Sequence, residues 1–452
     1  MILLADAREC RPSWISRRRA ERPERISMRQ FLTATMLAAA ASSASNAQQT
    51  SATQDAVAAQ VSTDETGDTG IKDIVVTAQR RSESLQRAAV SVTAINGEAL
   101  QDQAKTTVDS ALRDVPSVQI QGNANGAQVY VRGVGSNADS QLGDPAVNLN
   151  LDGVYQQETE VPTAVIYDVD RIEVLRGPQG TLYGRNATAG AVNIITADPT
   201  LDALHLGAGF QLSNYGGFRS EAMVNMPVSD TFGLRGAFVA ETHDGYLSNG
   251  NNDANTVAAR LKALYKPNDR FRILLAGDYL HINDNDVGSV EAPLSARNDP
   301  YDSDKVTGYR NIDAWNVRAQ VDYDLDWTTL SLLAAHNDYD KDEANQLLLP
   351  SAVSVHREGR QDSVELRATS ASGSPIKWVA GLFYLHDLEV RQVVDSPIDA
   401  VAAPASDPEL RDARTNSYAA FANVTVPLAA GLRATGGLRY THDDKSAEFF
   451  DA

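Results

Sequence analysis

Four glycines and two arginines crowd residues 174–196, VLRGPQGTLYGRNATAGAVNIIT: Gly177, Gly180, Gly184 and Gly190, with Arg176 and Arg185. Glycine-rich turns beside guanidiniums can cradle phosphate. A phosphate loop needs a strand, then GxxxxGK with Ser or Thr, then a helix whose first amides face the anion. Here no Lys follows a glycine at that spacing, and an apolar strand-like run, residues 191–195, stands where the helix should begin. A dinucleotide fingerprint also fails, because Gly133-Val134-Gly135 lacks its third glycine. Glycine at this density marks tight turns and close backbone approach, since no Cβ restricts φ.

Other chemistry is equally poorly served. The histidines, at 205, 243, 281, 336, 356, 386 and 442, are scattered and form no HxxxH or comparable ligand spacing. There is no GxSxG elbow, and the one cysteine, Cys10, lies in the first 27 residues. Aspartates within residues 283–286 and 299–304 read as solvated loop acidity rather than a calcium site. These absences argue against an enzyme, a resident metal and a cofactor. A net charge of −19 argues against a nucleic-acid partner, which selects basic faces. No run reaches the roughly 20 apolar residues of a spanning helix. The mean hydropathy of −0.31 does not exclude a membrane β-barrel, whose strands alternate and carry a weak signal each.

The elements that position these residues fall in a definite order. Residues 28–47 read as a signal peptide: a short basic start at Met28, an apolar run too short to span, and Ser45-Asn46-Ala47 as a cleavage site. Residues 1–27 fit poorly as part of it and read as a mis-assigned start extension. Residues 48–72 are a disordered linker by composition. The extended hexamer Asp73, Ile74, Val75, Val76, Thr77 and Ala78 follows. It reads as the first strand of the next domain or as a peptide that adds to a partner's sheet edge. Residues 80–198 mix short strands with helical spacing over residues 99–115, a small α+β domain.

From residue 200 to 452 strict alternation takes over, as in Trp315, Val317, Ala319, Val321 and Tyr323 set against Asn316, Arg318, Gln320, Asp322 and Asp324. Roughly 11 such segments have the nine to eleven residues of a tilted membrane strand. Short turns at residues 227–231, 266–270 and 427–431 alternate with long polar loops at 283–311 and 390–414. That asymmetry fits short periplasmic turns and long extracellular loops.

This order of elements resembles a TonB-dependent outer-membrane receptor, over nearly all of residues 73–452. Asp73 to Ala78 look like the TonB box. Arg132 and Gly133 lie in a VRG element, and Asp152 and Gly153 in a DGV element. Arg171, Glu173, Arg176, Gly177, Pro178, Gly180, Tyr183, Gly184 and Arg185 fall on an RIEVLRGPQGTLYGR signature, with Gly190 and Asn193 just after it. The resemblance implies a mainly β fold: an α+β plug, then antiparallel transmembrane strands making about half of a 22-stranded barrel. It implies an outer-membrane monomer that binds periplasmic TonB and imports a small scarce ligand, such as a ferric siderophore. Arg132 and Arg176 resemble plug arginines that pair with a wall carboxylate, here Glu365. Two alternatives stand beside import. A passive porin would need neither box nor plug. A truncated receptor fragment would leave open strand edges in lipid.

Overall fold

The computed structural model describes residues 75–77, 79–81, 83–123, 126–135, 143–285, 301, 308–348, 351–397, 409–429 and 431–451. The expected extension, signal peptide and linker lie outside the described residues, as do Asp73, Ile74 and Ala78 of the hexamer.

The α+β domain is built on a five-stranded sheet in the order β3–β8–β9–β6–β7. Its strands are β3 (Ser91–Asn96), β6 (Val147–Leu151), β7 (Val154–Tyr155), β8 (Val169–Arg176) and β9 (Gly190–Thr196). Strands β6 and β9 pair in parallel, and the other neighbours in this sheet pair antiparallel. A hairpin of β4 (Val118–Asn123) and β5 (Gly126–Val131) stands beside it. Leu100, Val108, Leu112, Ile172, Val174 and Val192 bury the core between helices and sheet.

The helical spacing over residues 99–115 resolves into two helices, α1 (Gly97–Asp102) and α2 (Val108–Leu112). The break has a local cause. Thr107 starts a second helix by a reciprocal capping box with Ser110, and Ala104 takes a left-handed φ of 51°. Two short helices, α3 (Glu160–Thr163) and α4 (Gly180–Tyr183), complete the domain.

From residue 205 onward the described residues form one antiparallel meander of eleven strands in sequence order. They are β10 (His205–Ser213), β11 (Gly217–Ser229), β12 (Phe232–His243), β13 (Ala254–Asn268), β14 (Phe271–Asp284) and β15 (Tyr309–Asp324). The others are β16 (Thr328–Leu348), β17 (Ser351–Ser370), β18 (Lys377–Pro397), β19 (Glu409–Ala429) and β20 (Leu432–Asp451). Strands β10 and β20 are the sheet's two edges, so the barrel is partial. The short turns fall where expected, at Ser229–Phe232, Asn268–Phe271 and Ala429–Leu432. The loop expected over residues 390–414 is largely strand, because the β18–β19 ladder runs on to Val393 and Glu409.

Alternation now has a direction. On β19, Ala413, Thr415, Ser417, Ala419 and Phe421 are buried, while Arg414, Tyr418, Ala420, Ala422 and Val424 are exposed. The buried phase faces the small domain, which packs against the sheet's inner side. Tyr167 lies among Val239, Ala258, Leu280 and Ile312 of the wall. Leu182 and Tyr183 lie against Val379 and Phe421.

Candidate functional site

Residues Val75 and Val76 form β1, paired antiparallel with β2 (Glu83–Ser84). Val76 is fully buried and joins the cluster of Leu175, Leu182 and Tyr183, while Val75 is half exposed. Period-two alternation turns the next side chain, Thr77, to a polar seat. Its amide donates to Glu173 Oε1 at 2.8 Å and its hydroxyl donates to the same oxygen at 3.1 Å.

That seat is made of signature residues. Glu173 has no exposed surface and also accepts from Arg171 Nε at 2.9 Å and Asn193 Nδ2 at 3.4 Å. Asn193 Nδ2 donates to Tyr183 Oη at 2.8 Å, and the Tyr183 hydroxyl donates to the Thr77 carbonyl at 3.4 Å. Arg80 lies over the Tyr183 ring at 4.6 Å. Burial pushes the Tyr183 hydroxyl up to about 12, so it stays a donor at every physiological pH. The positions where β8 and β9 pair, Glu173 opposite Asn193, explain why two residues 20 apart in sequence meet.

The DGV element is a turn with a task. Asp152 and Gly153 connect β6 to β7 with φ of 47° and 84°, the two positive values that a two-residue type I′ turn demands. The turn aims the Asp152 carboxylate at the wall. It accepts from the Thr196 amide at 2.7 Å and hydroxyl at 2.6 Å, pairs with Lys262 at 3.3 Å, and meets Arg318. Burial would raise this carboxyl, but Arg318 and Lys262 outweigh it and hold it below the usual carboxylate range.

Further carboxylates of the small domain and its exit face the same wall. Glu160 pairs with Arg310 and Lys341, each at 2.6 Å. Asp168 takes Arg235 bidentately at 2.8 and 2.5 Å. Asp198 takes Lys262 at 2.8 Å and Arg272 at 2.6 Å. The cations all sit on inward phases of β12 to β16. Sequence reasoning missed Glu160, Asp168 and Asp198 as contacts. The inward phase of Arg235, Lys262, Arg272 and Arg318 was the available signal, since a cation facing the lumen needs an anion there.

The pairing expected between Arg132 or Arg176 and Glu365 is not the one formed. Glu365 does point inward, at 6% exposure against 42% for Val364 and 47% for Leu366. Its carboxylate lies 2.8 Å from Arg367 and 3.8 Å from Arg80. Arg176 instead donates to the Pro116 carbonyl at 3.3 Å. Arg132 sits exposed at φ 53°, in the turn after β5. Arg176 is the last residue of β8, and Arg132 lies in that turn. Among the described residues neither forms an ion pair with the wall. Gly177 and Pro178 bend the chain out of β8, and Gly180 opens α4. Gly184 closes α4 at φ 79°, and the Arg439 guanidinium fills the space a side chain would need. Arg185 binds Asp144 at 2.6 Å, which also binds Lys445 of β20 at 2.8 Å.

Two family models match the chain. The TonB-dependent Receptor Plug Domain covers residues 84–191, and the TonB dependent receptor-like beta-barrel covers residues 247–452. The pesticin receptor of Yersinia pestis is 28% identical over 406 residues, which is 83% of this chain and 56% of the relative. The structure of the ferric yersiniabactin uptake receptor FyuA of Yersinia pestis aligns with a TM-score of 0.72 at 23% identity, over 80% of this chain and 57% of that one. The pyoverdine-bound receptor FpvA of P. aeruginosa aligns at 0.68 and 14% identity, over 84% and 55%. These likenesses show the fold, and the chain spans little more than half the length of the relatives it matches. A plug fitted to a partial barrel wall by its signature residues, matched by both family models, makes the chain a member of the TonB-dependent outer-membrane receptor family.

Proposed function

We propose that this receptor imports a small ligand of the ferric-siderophore class across the outer membrane, driven by TonB through residues Asp73 to Ala78. One observation supports this most: the end of the box is seated in the plug signature through Thr77 and Glu173. A strand held by one short partner strand and by the hydrogen bonds of Thr77 to Glu173 and Tyr183 can be exchanged for pairing with another protein's sheet edge. Glu173 is also wired through Asn193 to Asn150 on β6. Beyond β6 lie the Asp152 turn and Glu160, which reach the wall. A ligand that shifts this wall-facing part of the plug therefore has a connected path to the box. In this reading Arg132 belongs to a plug turn and Arg176 to the end of β8, and Arg80 takes the place beside Glu365.

The transport reading belongs to the receptor in which β10 and β20 have strand partners, because unpaired edges in hydrocarbon leave backbone groups unsatisfied at several kcal/mol each. Uptake of iron-55 carried by a hydroxamate, a catecholate or a carboxylate siderophore tests the proposal in cells making the receptor. Uptake of one class should stop when the proton gradient is collapsed or Val76→Pro blocks strand pairing. Uptake that survives both would fit a passive pore and contradict the proposal.

A further inference from the structure

On the outward side of the β16–β17 ladder one imidazole serves three carboxylates. His356 stands directly opposite Asp342, and Glu358 stands opposite Asp340. Lys341, Glu343, Val355 and Arg357 are buried inward, so these four residues share the outward phase. His356 Nδ1 lies 2.8 Å from Asp342 and 3.9 Å from Asp340, and Nε2 lies 3.4 Å from Glu358. Among the described residues no Lys or Arg pairs with any of the three carboxylates. The next outward positions of the same ladder are balanced, Arg360 with Asp338 and His336 with Asp362. Asp340 also meets a carboxylate on its other side, since Asp313 of β15 is its partner in register. Like charges directly opposite one another destabilise a sheet, and here three stand in one row. A cation shared among them removes that repulsion.

We propose that His356 Nδ1, Asp340 and Asp342 bind one divalent first-row transition cation of the zinc class. Their ligand atoms all lie within 4.8 Å of one another. Around a tetrahedral ion with bonds of about 2.1 Å such atoms stand roughly 3.4 Å apart, a spacing that partly exposed side chains reach by rotation. The metal takes the place of the proton shared by Nδ1 and Asp342. Glu358 accepts the Nε2 proton, which turns the Nδ1 lone pair to the metal. Asn311, opposite Asp342 on β15, offers a fourth oxygen, because its buried Oδ1 accepts no hydrogen bond among the described residues. A nitrogen among oxygens favours zinc-class ions over calcium and magnesium, which take oxygen alone.

The site is separate from the import route. Lys341 and Arg357 occupy the inward side at the same level, so the sheet stands between the ion and the lumen. Asp340 and Asp342 lie two and four residues past Asp338, which is in register with the exposed aromatics Trp315 and Tyr279. The ion therefore sits beyond the aromatic belt of the wall. It ties β16 to β17 three residues before their register shifts at Asn345–Leu348, as a clamp on the outer end of the hairpin. The inference does not rest on the import reading.

Equilibrium dialysis of the full chain in detergent against zinc ions, read by elemental mass spectrometry, tests it. The parent should hold one ion that His356→Ala loses. Glu358→Gln, which acts through the imidazole, should lower affinity about tenfold, the scale for outer-shell partners. His336→Ala, beside a single carboxylate on the same ladder, should leave binding unchanged. Cobalt in place of zinc should show the visible bands of a nitrogen-and-oxygen site in the parent and lose them in His356→Ala. Calcium in about a hundredfold excess should not displace zinc. Circular dichroism checks the β content of each variant, and if His356→Ala does not fold, Asp342→Ala takes its place with the same expectation. Equal zinc on the parent and on His356→Ala would overturn the site. Ready displacement by calcium would mean charge screening at an acidic rim and would overturn it as well.

Discussion

The two flanks of the plug meet the wall by different physics. Against β12 to β16 the plug side presents Asp152, Glu160, Asp168 and Asp198 to inward-facing Arg and Lys at salt-bridge distance. Against β17 to β20 it presents Leu182 and Tyr183 to Val379 and Phe421 and Gln157 and Tyr155 to Gln361, and its ion pairs there are long or partly exposed, Arg80 to Glu365 at 3.8 Å and Asp144 to Lys445 at 2.8 Å. The seat of the proposed TonB box belongs to the second flank, through Val76 and Tyr183. Buried ion pairs fix position because either partner alone is strongly destabilising. Apolar packing and single hydrogen bonds yield at lower cost. One flank is therefore an anchor and the other a place where something can move.

The largest break in this comparison comes from Asp152→Ala. It leaves Lys262 and Arg318 facing a buried space without their carboxylate, and plug stability should fall by about 3–5 kcal/mol. Denaturant-dependent proteolysis of the plug measures this. A loss comparable to that of Glu365→Ala would erase the difference between the flanks. The pH dependence has a definite sign. The folded Asp152 carboxyl titrates below its ordinary 3.8, so its contribution is whole above about pH 4 and is lost as pH falls below that.

Glu173→Gln comes next. A charge-assisted acceptor becomes a neutral one for Thr77 and Arg171, and the box should loosen by about 2 kcal/mol. Hydrogen exchange at the Thr77 amide should then quicken about 30-fold, with the amide of Thr196, bound to Asp152, unaffected. Equal quickening at both amides would mean that the two flanks are one unit.

Asp109→Asn sharpens the charged flank in the opposite direction. Burial, reinforced by Glu160, pushes the Asp109 carboxyl up to about 6 despite Arg113. A raised carboxyl pKa means that stability is lost as pH rises from 3.8 through 6. The amide should therefore stabilise the plug by about 1 kcal/mol at pH 7 and change nothing at pH 4, read from melting curves at the two values. Glu365→Ala should cost less than Asp152→Ala, because its contact to the plug through Arg80 is 3.8 Å long and the nearer Arg367 shares its own strand.

Much of the wall was legible because one face of each strand must be apolar for lipid, which writes period two into the sequence. The phase of Glu365 and the positions of the tight turns followed from that rule. Strand extent beyond the membrane was not legible. From Arg411 to Asn416 polar residues fall on both faces of the ladder, and charge hides the period. The signature residues were legible as a group, and Arg171, Glu173, Tyr183 and Asn193 do assemble. What they assemble around was not, since the contact of Thr77 with Glu173 spans 96 residues. Partners of the wall cations were hidden for the same reason: Arg318 and Asp152 are 166 residues apart.

The most direct test of the account measures binding of a periplasmic TonB domain to the full-length chain and to its Glu173→Gln variant. If the box is seated through Glu173, loosening it by about 2 kcal/mol raises apparent TonB affinity roughly 30-fold without ligand. Equal affinity for both proteins would contradict the seat as the element that controls the box.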